Sequence, residues 1–312
     1  MIQVEGLTKY YDDLCAVDRI DLDIQKGEII GLLGPNGAGK TTTLRMLTGY
    51  FQPTAGQVRI KDLDVRDDMV AIKQLIGYLP ESAPLYPGML VYDYLDYVAN
   101  IRNLTGDAKT GRIERLVTLC GLQGIMHKTI GELSKGLKQR VGLAHAMMSD
   151  PEILILDEPT SGLDPNQIVE IRDIIREIGR EKTVILSTHI LSEAEATCDR
   201  IVIIHKGRIV ADDRTENLKH SGGQSQRIHL GLQNADPETA RATLTGIDGI
   251  TAVDIRPANG NATVNLALTF RGSQDPRPDV YAAVKATDWI MVEFVQQTKN
   301  LETIFRELTK EN

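Results

Sequence analysis

Residues 28–41 read EIIGLLGPNGAGKT, in which a short apolar run is followed by glycines, a lysine and a threonine at fixed spacing. The run EIIGLL does not alternate and is typical of a strand that is buried on both faces. The segment GPNGAGKT fits the pattern GxxxxGK[ST] directly after that strand, which is the context this pattern requires. Because glycine lets backbone N–H groups turn inward and a helix start carries positive partial charge, the stretch predicts a site for β- and γ-phosphates.

Two side chains add chemistry to this loop. Lys40 supplies a point charge for the phosphates, and Thr41 supplies a hydroxyl for Mg²⁺. A glycine-rich turn before a helix can be purely structural, but the Lys-Thr pair in register favours phosphate binding. The residues predicted to bind the nucleotide in this loop are Gly34, Asn36, Gly37, Ala38, Gly39, Lys40, Thr41 and Thr42.

Composition narrows the class of protein. The chain has 312 residues, 42% of them hydrophobic, which leaves room for one large domain and one small one. A formal net charge of -8 argues against nucleic acid as the main partner, and 3 cysteines without a CxxC pair indicate a reducing compartment. No signal-peptide pattern begins the sequence, and no apolar run approaches the roughly 18 residues that cross a bilayer. We therefore expect a cytoplasmic chain that reaches a membrane only through a partner.

Apolar patterns predict the architecture of the larger domain. Segments 20–24 and 58–60 alternate apolar and polar residues, which predicts half-buried antiparallel strands. Three later runs are continuously apolar, which predicts strands buried between helices: ILIL at 153–156, TVIL at 183–186 and IVII at 201–204. Segments with helical spacing separate these runs. Together the patterns predict an α/β layered domain over residues 1–218.

A second unit follows a break in the pattern. Small polar residues in KHSGGQSQR, which begins at Lys219, predict a linker over 219–226. Over 227–312 the predicted order is β-α-β-β-α-β, with a hairpin turn signal at Asn259-Gly260 and one more helix in NLETIFRELTK. This order predicts a small α+β domain of the ferredoxin-like type with an extra C-terminal helix.

Ionisable residues follow two of the buried runs. Asp157 and Glu158 end the run ILILDE, at the carboxyl end of a strand, where open α/β sheets bind their ligands. Asp157 can hold Mg²⁺, and Glu158 can orient and deprotonate a water that attacks a γ-phosphate. His189 follows TVILST and can face the same phosphates. A lone histidine is more often structural, but its place after a second buried strand favours a catalytic role.

The segment LSKGL, Leu133–Leu137, opens a further helical pattern in which Ser134 stands at the N-cap position. With the phosphate loop, the LDE strand end and the histidine after a strand, this segment resembles the signature LSGGQ of the nucleotide-binding subunits of ABC transporters. The resemblance covers about the first 218 residues. It implies a P-loop ABC ATPase domain with a mixed sheet, an antiparallel β subdomain and a helical subdomain.

That resemblance implies further roles, one residue at a time. Ser134 and Gly136 would bind the γ-phosphate of ATP held by a second subunit, so that two ATP are enclosed in a head-to-tail dimer. Asp164 ends SGLD, which resembles the loop linking the two sites. Tyr11 resembles the aromatic residue that stacks on adenine, with Tyr10 as the alternative. The tetrapeptide SGGQ at 221–224 matches the signature in letters only, and we interpret it as linker.

Two departures from the family pattern stand out. Glu81 replaces the usual glutamine after IGYLP, where an added carboxylate near Mg²⁺ and phosphate could bind metal, take part in catalysis or repel nucleotide. Lys135 and Leu137 replace a glycine and a glutamine of the signature. A lysine at a helix start opposes the helix dipole, but it could also meet a phosphate of the partner site. The segments around Glu81 and the signature look closest to ATPase subunits of bacterial exporters of the multidrug and gliding-motility type.

These observations predict an ATPase that dimerises around two ATP, with Mg²⁺, and drives a separate membrane permease, as a homodimer or with a paralogous ATPase. It would be cytoplasmic and peripheral on the inner face of the cell membrane. The segment Glu81–Tyr97, which with Tyr78 holds five of the 9 tyrosines, could receive a permease helix or form the edge of a helical core. The alternative is a soluble ABC ATPase that acts as a mechanical switch on ribosomes or DNA. The C-terminal unit is predicted to contact its copy in the dimer.

Overall fold

The computed structural model describes residues 1–220, 226–256, 263–270, 275–297 and 305. The chain divides into two compact units, Met1–Thr215 and Glu216–Lys310. Most of the predicted linker, the SGGQ tetrapeptide, the Asn259-Gly260 turn and the final helix, apart from residue 305, lie outside the described residues.

The first unit combines two sheets with surrounding helices. Its strands are β1 (Ile2–Tyr11), β2 (Leu14–Ile24), β3 (Ile29–Leu33), β4 (Ala55–Ile60), β5 (Leu63–Asp64), β6 (Ile76–Leu79), β7 (Ile153–Asp157), β8 (Thr183–Thr188), β9 (Arg200–His205) and β10 (Arg208–Arg214). Its helices are α1 (Lys40–Leu47), α2 (Met69–Leu75), α3 (Val91–Ile101), α4 (Gly106–Leu119), α5 (Lys135–Ala146), α6 (Pro165–Gly179) and α7 (Leu191–Thr197), and α8 (Thr215–His220) begins where this unit ends.

The two sheets differ as the apolar patterns predict. Strands β2, β1, β4 and β5 form an antiparallel sheet in that order. The six-stranded sheet has the order β10-β9-β3-β8-β7-β6 and is parallel except for β10. Every residue of β3 and β7 is buried, because helices and the other sheet cover both faces.

One hydrophobic cluster joins the two sheets of this unit. It includes Ile2 and Ile24 from the antiparallel sheet and Ile30, Ile155 and Val202 from the six-stranded sheet, all fully buried. The packing places β3, β7 and β8 side by side with their carboxyl ends at one edge. Among the described residues, no helix is long and apolar enough to cross a membrane.

Helix α3 is buried along one apolar stripe over most of its length. Val91, Leu95 and Val98 are buried, whereas Ile101, the last residue of the helix, is 58% exposed. The stripe therefore ends before the last turn of the helix.

The second unit is an α+β sandwich. Its elements are β11 (Gln226–Gln233), α9 (Pro237–Thr245), β12 (Ile250–Arg256), β13 (Thr263–Phe270), α10 (Arg277–Lys285) and β14 (Ile290–Gln297). The sheet order is β12-β13-β11-β14 and each neighbouring pair is antiparallel. The core holds Ile228, Leu230 and Leu268 from the sheet with Leu244 and Val280 from the helices. The order of elements is the one the sequence predicts for a ferredoxin-like sandwich.

Candidate functional site

The loop between β3 and α1 requires glycine at two positions. A Cβ atom at Gly34 would lie 2.3 Å from the carbonyl oxygen of Ile204, which is far inside contact distance. Gly39 caps α1 with φ 109°, and a Cβ atom there would lie 2.5 Å from the carbonyl oxygen of Ala16. Any other residue at either position would displace the backbone. The loop can therefore lie this close to the backbone at Ile204 and Ala16 only with glycine.

Lys40 is held inside this loop. Its side chain is 5% exposed, and its ammonium group donates to the carbonyl oxygens of Gly34 at 2.8 Å and Pro35 at 3.2 Å. The same Nζ atom lies 3.4 Å from Oε1 of Glu158. A buried ammonium must be paired. The partners of Lys40 are the two carbonyl oxygens of the loop and the carboxylate of Glu158.

Asp157, at the end of β7, forms hydrogen bonds with α1 and β8. Its Oδ1 accepts hydrogen bonds from Thr41 Oγ1 at 3.0 Å and from Ser187 Oγ at 2.7 Å, and the residue is 1% exposed. The Thr41 hydroxyl and the Asp157 carboxylate are oxygen donors that suit Mg²⁺. Among the described residues no group of three or more histidine, cysteine or acidic side chains could hold a metal. A pair of oxygen ligands therefore fits Mg²⁺ only if phosphate oxygens and water complete its shell.

Glu158 and His189 face each other across the same edge. His189 Nδ1 lies 2.7 Å from Glu158 Oε2. Since an ionised carboxylate only accepts, Nδ1 carries the hydrogen of this bond. Glu158 has φ 48°, a left-handed conformation that costs about 1–2 kcal/mol for a residue with a Cβ atom. Its N–H donates to Ser187 Oγ at 2.9 Å, which helps to hold this conformation.

Tyr11 lies at the end of β1 in a small aromatic cluster. Its ring packs edge-on against Phe51 with centroids 5.9 Å apart, and Lys9 Nζ lies 5.5 Å from its centroid. Tyr11 is 38% exposed and Tyr10 is 47% exposed, so both rings are accessible. Phe51 and Lys9 restrict the ring of Tyr11.

Glu81 is exposed and lies two residues beyond the end of β6. Strand β6 pairs in parallel with β7, the strand that ends in Asp157. Glu81 is therefore at the sheet edge that carries Asp157 and Glu158.

The predicted signature and the SGLD loop lie beside one another at two helix starts. Ser134 caps α5 by accepting a hydrogen bond from the N–H of Leu137 at 3.3 Å. Asp164 caps α6 in the same way, accepting from the N–H of Gln167 at 3.0 Å. A Cβ atom at Gly136 would lie 2.6 Å from the side chain of Gln167, so close packing of the two helix starts requires glycine there.

Lys135, which replaces a glycine of the family signature, lies next to Gly162. Its Nζ atom would lie 2.5 Å from a Cβ atom at Gly162, a residue of SGLD with φ 67°. The lysine therefore lies over the SGLD loop of its own chain. Within residues 1–220, no hydrogen bond or ion pair joins Ser134 or Gly136 to Lys40, Asp157 or Glu158.

The structure thus brings Lys40, Thr41, Asp157, Glu158 and His189 together and places Ser134, Gly136 and Asp164 in a second group. Sequence reasoning missed Ser187, which contacts Asp157 and Glu158. Its place near the end of the run TVILST is a weak sequence signal, but its contact with Asp157 depends on the parallel register that pairs the two residues.

Comparisons with known proteins identify the family of this chain. The family model described as ABC transporter matches residues 17–161, and a model described as an AAA domain matches residues 129–194. The Nod factor export ATP-binding protein I of Burkholderia pseudomallei is 39% identical over 99% of this chain and 96% of its own length. The bacitracin transport ATP-binding protein BcrA of Bacillus licheniformis is 38% identical over 75% of this chain and 76% of its own.

Among solved structures, cbiO1 of Clostridium perfringens, described as part of the ABC transporter complex cbiONQ, superposes with a TM-score of 0.66 at 28% identity. The match covers 70% of this chain and 90% of that one.

Proposed function

The chain belongs to the ATP-binding proteins of ABC transporters, and we propose that it is the ATP-hydrolysing subunit of an exporter whose permease is a separate membrane protein. One relative that matches it over nearly its whole length is named for Nod factor export, and another for bacitracin transport. The observation that carries the proposal is the convergence of Lys40, Asp157, Glu158 and His189 at one sheet edge.

In this proposal the loop of β3 and α1 binds the phosphates of ATP. Its backbone N–H groups and the start of α1 supply positive partial charge, and the Lys40 ammonium adds a full charge. Because Lys40 Nζ also lies 3.4 Å from Glu158 Oε1, it balances the charge of that carboxylate next to the phosphates. Tyr11 would stack on adenine, with its ring restricted by Phe51 and Lys9.

Thr41 and Asp157 are the residues that would hold Mg²⁺, which when bound neutralises charge on the phosphate oxygens. Ser187 donates to Asp157 Oδ1 and so keeps that carboxylate directed at Thr41. Glu81, exposed at the same edge, would add negative charge near the metal.

Glu158 is proposed to orient the attacking water and to accept its proton. Its Oε2 is held by His189 Nδ1, its Oε1 lies near Lys40, and its backbone is held by Ser187. These contacts limit the carboxylate to one orientation while its side chain remains 12% exposed, which leaves room for a water. The ring of His189 is 39% exposed, so its Nε2 is proposed to face the same space.

A second ATPase subunit completes the proposed site. Ser134 and Gly136 begin α5 and have no hydrogen bond or ion pair to Lys40, Asp157 or Glu158 within residues 1–220. In this proposal the exposed N-cap residue Ser134, followed by Gly136 at the start of α5, meets the phosphate loop of a partner copy, with Asp164 beside them. Binding of ATP across such an interface would stabilise the dimer by mass action.

The permease is proposed to dock at the tyrosine-rich segment Glu81–Tyr97. Tyr86 and Tyr97 are 51% and 42% exposed and pack edge-on at 5.9 Å. Beneath them Tyr94 is buried, and burial followed by the neighbouring tyrosines raises its pKa to about 12. Its hydroxyl shares a hydrogen bond of 2.6 Å with His145 Nδ1, which anchors the cluster to α5. Exposed aromatic side chains over a rigid base suit a partner helix, and a docked permease would hold the chain on the inner face of the membrane.

An ATPase assay tests the catalytic part of the proposal. The purified chain should release phosphate from ATP in the presence of Mg²⁺, and Glu158→Gln should lower kcat by at least about 100-fold. Its affinity for ATP should stay within about twofold, because the phosphate loop is intact. Glu114→Gln, an exposed acidic residue of α4, is the matched control. Hydrolysis at the wild-type rate by Glu158→Gln would contradict the assignment.

Light scattering tests the dimer. Glu158→Gln protein should become dimeric with Mg-ATP and stay monomeric with ADP, because a variant that binds but does not hydrolyse ATP keeps both nucleotides in the interface. A monomer in both conditions would argue against a self-sufficient homodimer and leave a heterodimer with a paralogous ATPase.

A further inference from the structure

A single carboxylate of α7 connects the two loops that carry Glu158 and His189. Glu193 Oε2 accepts a hydrogen bond from Thr160 Oγ1 at 2.6 Å and another from Thr188 Oγ1 at 3.0 Å. Thr160 is two residues after Glu158, and Thr188 immediately precedes His189. Both threonines are nearly buried, at 8% and 2% exposure, so water competes little for these bonds.

The hydrogen bonds of Thr188 have a defined direction. Its hydroxyl hydrogen points to Glu193, while its oxygen accepts from the N–H of Ile190 at 3.0 Å. The Thr188 hydroxyl therefore connects the residue before His189 to the residue after it. Glu193 fixes the orientation of that hydroxyl. On the other loop, the N–H of Ser161 donates to the carbonyl oxygen of Glu158 at 3.1 Å, so Thr160 belongs to a tight turn.

Glu193 also lines a cavity beside these loops. A cavity of about 200 Å³ lies between α6 and α7 and is lined in part by Thr160, Arg172 and Glu193. In the part of the chain that the structure describes, Glu193 Oε1 and Arg172 Nε are buried and have no hydrogen-bond partner. Oε2 is thus the oxygen of Glu193 that joins α7 to the two loops.

We propose that Glu193 is a positioning residue for ATP hydrolysis: one carboxylate oxygen holds Thr160 and Thr188 and so fixes the 2.7 Å contact between Glu158 and His189. The proposal rests on the proposed function, because it assumes that Glu158 and His189 act in hydrolysis. Glu193 itself would touch neither ATP nor the attacking water.

Three variants in the full chain test this role. Glu193→Ala removes the shared acceptor, and kcat should fall about tenfold or more because the reacting groups lose their alignment. Binding of a fluorescent ATP analogue should change by less than about twofold, because the phosphate loop is unaffected. Glu193→Gln should keep most of kcat, since its amide oxygen can accept both hydroxyl bonds. Glu195→Ala, which removes the same charge two residues along α7, should match the wild type.

A merely structural role would give different results. Unchanged kcat in Glu193→Ala would overturn the proposal, as would a loss of ATP-analogue binding with kcat unchanged. An equal loss of kcat in the glutamine and alanine variants would also overturn it, because the charge rather than the shared hydrogen bonds would then matter.

A double-variant comparison tests the route through Thr188. Thr188→Val keeps the shape of the side chain and removes the hydroxyl, so it should lower kcat, and adding Glu193→Ala should cause little further loss. Additive losses would contradict the coupling. If Glu193→Ala does not fold, Thr160→Val and Thr188→Val give the same information, and wild-type kcat in both would overturn the proposal.

Glu158→Gln, measured in parallel, separates this inference from the proposed function. If Glu158→Gln hydrolyses ATP normally, the assignment of the catalytic site is wrong. If Glu158→Gln is inactive and Glu193→Ala is fully active, only the positioning role of Glu193 is wrong.

Discussion

Replacing Ser187 by alanine should both destabilise the first unit and slow ATP hydrolysis. Ser187 is fully buried, and its hydroxyl makes two hydrogen bonds at the site. It donates to Asp157 Oδ1 at 2.7 Å and accepts from the N–H of Glu158 at 2.9 Å. Alanine fits the same space but can replace neither bond.

The size of the effect follows from what is left unpaired. The partly buried N–H of Glu158 loses its acceptor, which costs about 1–3 kcal/mol, whereas Asp157 Oδ1 keeps its bond from Thr41 and adds little. We expect a loss of about 2 kcal/mol in the free energy of unfolding. For a unit of this size each kcal/mol lowers Tm by about 2–4 °C, so the expected drop is about 4–8 °C.

The rate of ATP hydrolysis should also fall in Ser187→Ala, because the same hydrogen bond holds the backbone of Glu158. Glu158 holds a left-handed backbone conformation with φ 48°, and the bond to Ser187 helps to stabilise it. Without that bond the backbone can relax and turn the carboxylate away from His189, so kcat should fall more than the affinity for ATP.

Calorimetry on the full chain and an ATPase assay check both parts of this prediction. Ser192→Ala, an exposed serine of α7, is the control and should shift Tm by less than about 1 °C. A Tm drop below about 2 °C together with wild-type kcat in Ser187→Ala would refute the reasoning, because the unpaired N–H would then have no measurable cost.

Three further predictions concern other parts of the chain. Tyr11→Ala should weaken ATP binding about tenfold or more through lost stacking, and a larger loss in Tyr10→Ala would instead assign adenine to Tyr10. Burial, followed by the charge of Arg102, lowers the pKa of His145 below 6.5. Its neutral form therefore adds stability that is present above pH 6.5 and is lost as pH falls through the lowered pKa. His145→Gln should lose less Tm than the wild type between about pH 8 and about pH 5, and an equal loss would contradict this. Because we propose that the C-terminal unit contacts its copy, deleting 221–312 should weaken ATP-dependent dimerisation in light scattering and leave nucleotide binding intact, whereas unchanged dimerisation would contradict the proposal.

The strands and the phosphate loop could be predicted because their signals are local. A continuous apolar run such as ILIL at 153–156 indicates a strand covered on both faces, and the structure buries all of β7. The loop after β3 requires glycine at positions 34 and 39, because a Cβ atom at either position would meet backbone. The GxxxxGK[ST] pattern shows these glycines within a few residues of sequence. Asp157, Glu158 and His189 follow from their places at the ends of predicted strands, and Lys40 follows from the pattern GxxxxGK[ST].

Contacts between distant segments could not be predicted from these patterns. Ser187 meets Asp157 only because β7 and β8 pair in a particular register across 30 residues of sequence. The place of Lys135 over Gly162 depends on how the start of α5 packs beside the start of α6. Glu193 shows no pattern at all, because an acidic residue in the first turn of a helix is ordinary, and only the fold brings Thr160 and Thr188 to it.

The most direct test of the central claim is a pull-down of tagged Glu158→Gln protein with Mg-ATP from detergent-solubilised native membranes, followed by a salt wash and mass spectrometry. The account predicts stoichiometric recovery of a polytopic membrane protein, which is the permease that this ATPase drives. Recovery of ribosomes or nucleoprotein with no membrane protein would contradict the account and favour a soluble ABC ATPase that acts as a mechanical switch.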